Sequence, residues 1–270
     1  MIWCLGMYGS ASTWTFNLVQ QVAAAMVPDK PVLASFAAEA DMVPTAEAAA
    51  DRTVIVKTHA APAYRALAER ATTIVVSIRD PRDAVASLLA HNQPPFDVAL
   101  HVTEATAGMC GHFSADPRAV ALRFEDRFFD DPATLIRVAA RFPGTLPGPD
   151  AARIWAGLRR DAVESFIARL DEVPTAETVF DQVTGHWDTF DPVTGWHKHH
   201  AGRSAEVGRW RRELTAAQAL AVEQRLAAWM TRFGYPPAMS QGQGYTLRIG
   251  EYGVDPPSQA GLRGNAAASN

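Results

Sequence analysis

The chain has 270 residues, 48% of them hydrophobic and 20% charged, enough to bury a substantial core in one α/β domain, with or without a lid. Its formal net charge of −4 excludes a protein built to coat DNA or an anionic membrane, so any polyanion site has to be local. No apolar run approaches the ~20 residues needed to cross a bilayer, and Cys4 and Cys110 make no disulfide framework, so the expectation is a cytoplasmic chain without a signal peptide.

The first element predicted is a buried strand over residues 2–7. A small, polar stretch follows at 8–13, and from Trp14 the apolar residues Leu18, Val22 and Met26 recur at a spacing of four, which predicts a helix. Further strands are expected at 53–57, 73–78 and 119–124. Those at 53–57 and 73–78 are continuous apolar runs, as in strands covered on both faces of a parallel sheet. Asp80 is a good N-cap, Pro81 suits the first helical position and Asp83 the first turn. Helices are then predicted over 132–142, 151–169 and 216–233. Thr215 and Gln218 have capping-box spacing at the start of the last one, and Gly234 with Pro236 ends it. Residues 91–101 have loop composition and are expected to line an acceptor pocket. The alternation of strands and helices argues for a three-layer α/β fold with a central, mostly parallel sheet. The expected division is one domain over 1–236 and a tail or arm over 237–270, rich in Gly, Pro, Ser, Gln and Asn.

Three places carry chemistry. The loop Gly9-Ser10-Ala11-Ser12-Thr13 has small residues that let backbone N–H groups turn inward, hydroxyls that add donors, and a helix start behind it. It reads either as a phosphate cradle or as an ordinary strand-to-helix turn. It is not an ATPase loop, because no Gly-Lys pair follows. Lys57-Thr58-His59 ends the second predicted strand, where ligands bind in open parallel sheets. Strand alternation points Lys57 and His59 the same way. The lysine can neutralise a leaving phosphate, and a neutral imidazole can accept a proton. Arg79 emerges at the end of the third predicted strand, two helical turns before Ser87, and the two could grip a second phosphate. The clustered Trp196-His197-Lys198-His199-His200 reads as a solvated basic loop rather than a metal site, and no metal is expected. Arg209, Arg211 and Arg212 lack the interleaved aromatics of a nucleic-acid surface.

Taken in order, the loop ending Ser12-Thr13-Trp14, then Lys57-Thr58-His59, then Arg79-Asp80-Pro81-Arg82-Asp83 with Ser87, then Arg123-Phe124-Glu125-Asp126, then Arg203-Ser204-Ala205-Glu206-Val207-Gly208-Arg209-Trp210 resemble the cytosolic-type sulfotransferases that use 3′-phosphoadenylyl sulfate (PAPS). The resemblance covers roughly 2–236. It implies a P-loop-NTPase-like fold and transfer of a sulfuryl group from PAPS, the donor co-substrate, to a hydroxyl of a small-molecule acceptor. It also implies roles. Gly9, Ser10, Ala11, Ser12 and Thr13 would cradle the phosphosulfate, and Trp14 would contact the adenine, with Phe180 on its other face. Lys57 would sit by the transferring group and His59 would be the general base. Arg79 and Ser87 would bind the 3′-phosphate, with Arg203 closing over it. The chain departs from the family's pattern at Gly9, where the loop normally carries a basic residue. It departs again at Ala11 in place of glycine, at Ser204-Ala205 in place of Lys-Gly, and at Phe124 in place of tyrosine. A nucleotide-dependent phosphotransferase and a non-catalytic nucleotide-binding protein are the two competing readings. The acceptor's identity and the oligomeric state are not readable from the sequence.

Overall fold

Alternating buried residues explain why the sheet is central. The computed structural model describes residues 1–37, 40–59, 64–91, 93–181, 186–198 and 205–237. The first strand, β1 (Ile2–Gly6), sends Trp3 and Leu5 to one face and Ile2 and Cys4 to the other, all buried. Helix α1 (Ser12–Met26) follows, then β2 (Val32–Phe36), β3 (Thr53–Thr58), α2 (Tyr64–Arg70), β4 (Thr73–Ile78) and α3 (Pro81–His91). Next come α4 (Phe96–Phe113), β5 (Ala119–Arg123), α5 (Ala133–Ala139), α6 (Gly148–Leu158) and α7 (Arg160–Ala168). The hairpin β6 (Glu177–Asp181) and β7 (His186–Phe190) precedes α8 (Trp210–Glu213) and α9 (Ala216–Arg232).

The sheet has five strands in the order β2-β3-β1-β4-β5, each pair parallel. One face is packed by α1, α5 and α6 through Leu18, Val22, Leu135 and Ile154. The other is packed by α3, α4 and α9 through Val85, Ala107, Val222 and Leu226. This is the three-layer fold expected from the alternation of elements, with a wholly parallel main sheet. The predicted capping box is present: Thr215 Oγ1 accepts from Gln218 N, and the Gln218 side chain accepts from Thr215 N. Asp80 Oδ1 accepts from Arg82 N at 2.9 Å and caps α3 as expected.

Two expectations change and one element is added. Residues 91–101 are not all loop, because α4 begins at Phe96 after Pro95 and buries Ala99 and Leu100. The predicted helix over 151–169 is two helices, broken at Arg159, whose ψ of 150° is extended. The segment Glu177–Phe190 is an antiparallel hairpin. At the sheet edge, α5 and the turn after it send Arg137 and Arg141 back onto β5. They donate to the carbonyls of Ala121 at 2.9 Å and Ala119 at 3.0 Å. Of the expected tail, residues 238–270 lie outside the described residues. No described helix is long and apolar enough to cross a membrane.

Candidate active site at the strand ends

The C-terminal ends of β1, β3 and β4 deliver the site. Because β3 and β4 flank β1 in parallel register, the segments leaving Gly6, Thr58 and Ile78 must meet. The loop after β1 turns on two left-handed residues, Gly9 (φ 68°) and Ala11 (φ 60°, ψ 32°). Glycine adopts this conformation without penalty, whereas alanine in it carries about 1–2 kcal/mol of strain. Ala11 is the N-cap of α1, no side chain caps that end, and its first turn has no acidic residue. The positive end of α1 is thus left for an outside anion.

The hydroxyls of this loop divide the work. Ser10 Oγ donates to the Met7 carbonyl at 2.6 Å, so the 2.8 Å contact with Ser77 Oγ uses the proton of Ser77. Ser10 therefore ties the loop to β4 and is not a spare donor, contrary to expectation. Thr13 Oγ1 accepts from Lys57 Nζ at 2.6 Å, which keeps the threonine's own proton for a ligand. Lys57 is buried, and desolvation pulls its ammonium down from the usual lysine range to about 8.

His59 comes two residues later, as the strand alternation predicts. Its Nδ1 lies 2.8 Å from the Gly6 carbonyl, which only accepts, so Nδ1 carries the proton and Nε2 is left as the basic nitrogen. The half-buried ring stacks on Tyr8 at 4.0 Å and 17°, and Phe36 stands 6.1 Å away. Burial first, and then the charge of Lys57, push the imidazole from 6.5 down to about 3. His59 is therefore neutral at any ordinary pH.

Arg79 comes from the other side. It is buried, with Nη1 donating to the Gly9 carbonyl and Nη2 to the Glu206 carbonyl, each at 2.8 Å. Its guanidinium lies 4.1 Å over the Phe124 ring. Its Nε is buried with no hydrogen-bond partner among the described residues. Ser87 closes the gap: a Cβ on Gly9 would fall 2.7 Å from Ser87 Oγ and 3.4 Å from Arg79 Nη1. That close approach explains why position 9 is glycine.

The structure thus brings Gly9–Thr13, Lys57, His59, Arg79 and Ser87 around one loop. It puts Trp14 in the core, its Nε1 donating to the Leu158 carbonyl at 2.8 Å and its ring against Phe128 and Trp155. Phe180 is 49% exposed, edge-on to Trp187 on the hairpin face opposite Asp188. Arg203 lies outside the described residues.

Several residues at the site carry no strong local signal in the sequence. Asp83, expected in the first turn of the helix, is there but fully buried, and it accepts from Gly208 N at 2.7 Å and Trp210 N at 2.9 Å. Its spacing of four from Arg79, with a glycine and tryptophan far downstream, is the available signal. Of the segment expected as a solvated basic loop, Lys198 is exposed, Trp196 and His197 are half-buried, and His199 and His200 lie outside the described residues. Trp196 packs against the α1-side core, and His197 Nδ1 donates to the buried Asp188 at 2.5 Å.

Solved structures of the same fold are complexes with PAP. A retinol dehydratase in complex with androsterone and inactive cofactor PAP superposes with a TM-score of 0.54. It has 16% identity and covers 85% of this chain and 80% of its own. A retinol dehydratase with retinol and PAP gives 0.53, again at 16% identity and with the same coverage. A mouse sulfotransferase complexed with PAP gives 0.56 at 13% identity, covering 85% of this chain and 84% of its own. The chain has the cytosolic-type sulfotransferase fold. No family model matches it, and no curated protein matches it in sequence. Within the sulfotransferase fold, the loop after β1 and the ends of β3 and β4 are therefore the parts to weigh for function.

Proposed function

We propose that the chain is a PAPS-dependent sulfotransferase acting on a hydroxyl of a small-molecule acceptor. One observation carries this reading. The uncapped start of α1 and the buried, part-unpartnered Arg79 flank a single glycine-based loop, with Lys57 and a neutral His59 at its other end. A ligand with two separate phosphates and a reactive end matches that layout. The PAP held by proteins of the same fold supports it.

In the proposed reaction His59 Nε2 takes the acceptor's hydroxyl proton. The acceptor oxygen attacks sulfur and forms the new S–O bond as the S–O bond to the 5′-phosphate breaks. The electron pair of the broken bond stays on the phosphate oxygen, where Lys57, the Thr13 hydroxyl and the N–H groups of the α1 start meet the charge. Arg79 and Ser87 hold the 3′-phosphate. Tyr8 and Phe36 beside the His59 ring give the acceptor an apolar wall. The products are a sulfate ester and adenosine 3′,5′-bisphosphate, with no metal required.

The deciding experiment is titration calorimetry with adenosine 3′,5′-bisphosphate, ATP and AMP. Preference for the 3′,5′-bisphosphate is expected, and equal or better binding of ATP would turn the assignment toward a phosphotransferase. A second reading, a nucleotide-binding protein without turnover, draws on one feature: the loop carries no cationic side chain from Gly9 to Thr13. Binding of the bisphosphate with no sulfate ester formed from PAPS across a broad panel of phenols and alcohols would favour it.

A further inference from the structure

Negative charge builds on the leaving phosphate during such a transfer, and the loop that cradles it has only neutral donors, Gly9 through Thr13. Lys57 is the cation already in contact with that loop. The segment after β7 brings a second ionisable side chain toward it. After β7 the backbone turns through Asp191–Lys198 and lies directly on the site. Thr194 O accepts from Asn17 Nδ2 at 2.7 Å, and Val193 O accepts from Gln20 Nε2 at 3.2 Å, both donors on α1. Gly195, at φ 67°, approaches so closely that a Cβ there would sit 3.8 Å from Thr13 Cγ2 and 4.0 Å from Lys57 Nζ. His197 lies two residues further on. It pairs by a β-bridge with Phe190, its ring stacks on that of Phe190 at 5.3 Å and 18°, and its Nδ1 donates to Asp188 at 2.5 Å.

Resting on the sulfuryl-transfer reading, we infer that His197, held as an imidazolium by Asp188, is a second cationic group of the active site. There it acts beside Lys57 on the phosphate that leaves. A buried carboxylate on Nδ1 fixes the tautomer and favours the charged ring. A charge on this ring adds to burial and Lys57 in keeping the His59 imidazole neutral. The two histidines thus divide the chemistry, one kept neutral to take a proton and the other kept charged to hold an anion. The electron pair of the breaking S–O bond moves to the phosphate oxygen, and His197 Nε2–H donates a hydrogen bond there without giving up its proton. Among the described residues, other titratable groups around this segment have partners of their own. Lys198 pairs with Asp171 beside α7, Asp191 is bound by Thr175 and Thr194, and Tyr8 lies across the His59 ring.

The test uses the full chain and two nucleotides, adenosine 3′,5′-bisphosphate and adenosine 3′-monophosphate, by calorimetry between pH 6 and 9. His197→Asn keeps an N–H for Asp188 and removes the charge. It is expected to weaken the bisphosphate at least about tenfold at pH 6.5, with kcat falling on the order of 10²-fold. Affinity for the 3′-monophosphate, which lacks the 5′ charge, should not change. The wild type should lose bisphosphate affinity in two steps as pH rises, and His197→Asn should keep only the later one, near the Lys57 value of about 8. His197→Arg should restore part of the affinity. Asp188→Asn, a second route that leaves the ring in place, should move the first step to lower pH. Equal affinities and turnover in wild type and His197→Asn, or equal weakening of both nucleotides, would overturn the inference while leaving the transferase reading standing. Failure of the wild type to bind the bisphosphate at all would remove both.

Discussion

Arg79 is gripped by two backbone carbonyls, Lys57 by a threonine hydroxyl, and His59 by the carbonyl that ends β1. Every one of these partners belongs to the parallel sheet or to a segment pinned against it. The hairpin β6–β7 differs. One face carries Phe180 and Trp187, 49% and 70% exposed, and on the other Asp188 is buried while its cross-strand partner Val179 is 42% exposed. The half of the site that would hold the donor is preorganised by the core. The half that would close over it rests on a two-stranded ribbon, which has little stability of its own. Substitutions at the strand ends should therefore strike chemistry and binding hard, and those on the ribbon's outer face should barely register.

The largest effect is expected at His59. His59→Ala should lower turnover by roughly 10²–10⁴-fold and leave affinity for adenosine 3′,5′-bisphosphate nearly unchanged; parallel loss of both would make the residue structural. Next is Arg79→Ala, which should weaken 3′-phosphorylated nucleotide by about 2–5 kcal/mol. It should hardly affect the analogue without that phosphate, and similar losses for the two would remove the 3′-phosphate assignment. This variant also leaves Asp83 buried with its nearest cation gone, so a melting curve must accompany the binding data. The pH profile comes third. Because His59 is neutral above about 3, turnover should show no acid limb between pH 5 and 7, whereas an ordinary imidazole base would lose activity below about 6.5. A limb near 6.5 that disappears in His59→Ala would show that the ring is less desolvated than the structure indicates.

Smaller effects probe the loop and the ribbon. Ala11→Gly should relieve the left-handed strain at φ 60° and stabilise by about 1 kcal/mol, a rise of roughly 2–4 °C in Tm. At the other left-handed position, Gly9→Ala should destabilise, since its methyl would meet Ser87 Oγ at 2.7 Å. Smallest is Phe180→Ala, expected to change bisphosphate affinity less than about twofold. A tenfold loss there would mean that the ribbon turns Phe180 onto the nucleotide and that sheet and ribbon differ less than their burial suggests.

The same contrast explains what can be read in the sequence. Continuous apolar runs at 53–57 and 73–78, and the cap at Asp80, are strong local signals, because burial on both faces and capping act over a few residues. The loop after β1 and Lys57-Thr58-His59 are legible because strand ends determine where side chains go. The strand β2 escapes such a reading because it lies at the sheet edge, is half-exposed and has no marked alternation. Helix α4 escapes it because Pro94 and Pro95 give its start the composition of a loop. The break at Arg159 is a backbone event whose one local signal is Gly157, itself still helical. The partners of Asp83 and of His197 lie 125 and 9 residues away. No local rule connects Asp83 to Gly208, and the His197 pair depends on a hairpin that the sequence does not announce. Ser10 reads as a ligand donor because its hydroxyl looks available; only the positions of Met7 and Ser77 show that its proton is already committed.

Arg137 and Arg141 have a consequence beyond their own hydrogen bonds. An open sheet border ordinarily invites a foreign strand, since its row of acceptors is already in the right line. Here two guanidinium groups occupy the Ala119 and Ala121 acceptors, so an incoming chain would have to displace charged donors before it could pair. The border of β5 is thus guarded against lateral growth into larger assemblies, which leaves the opposite border, at β2, as the side where such growth would begin.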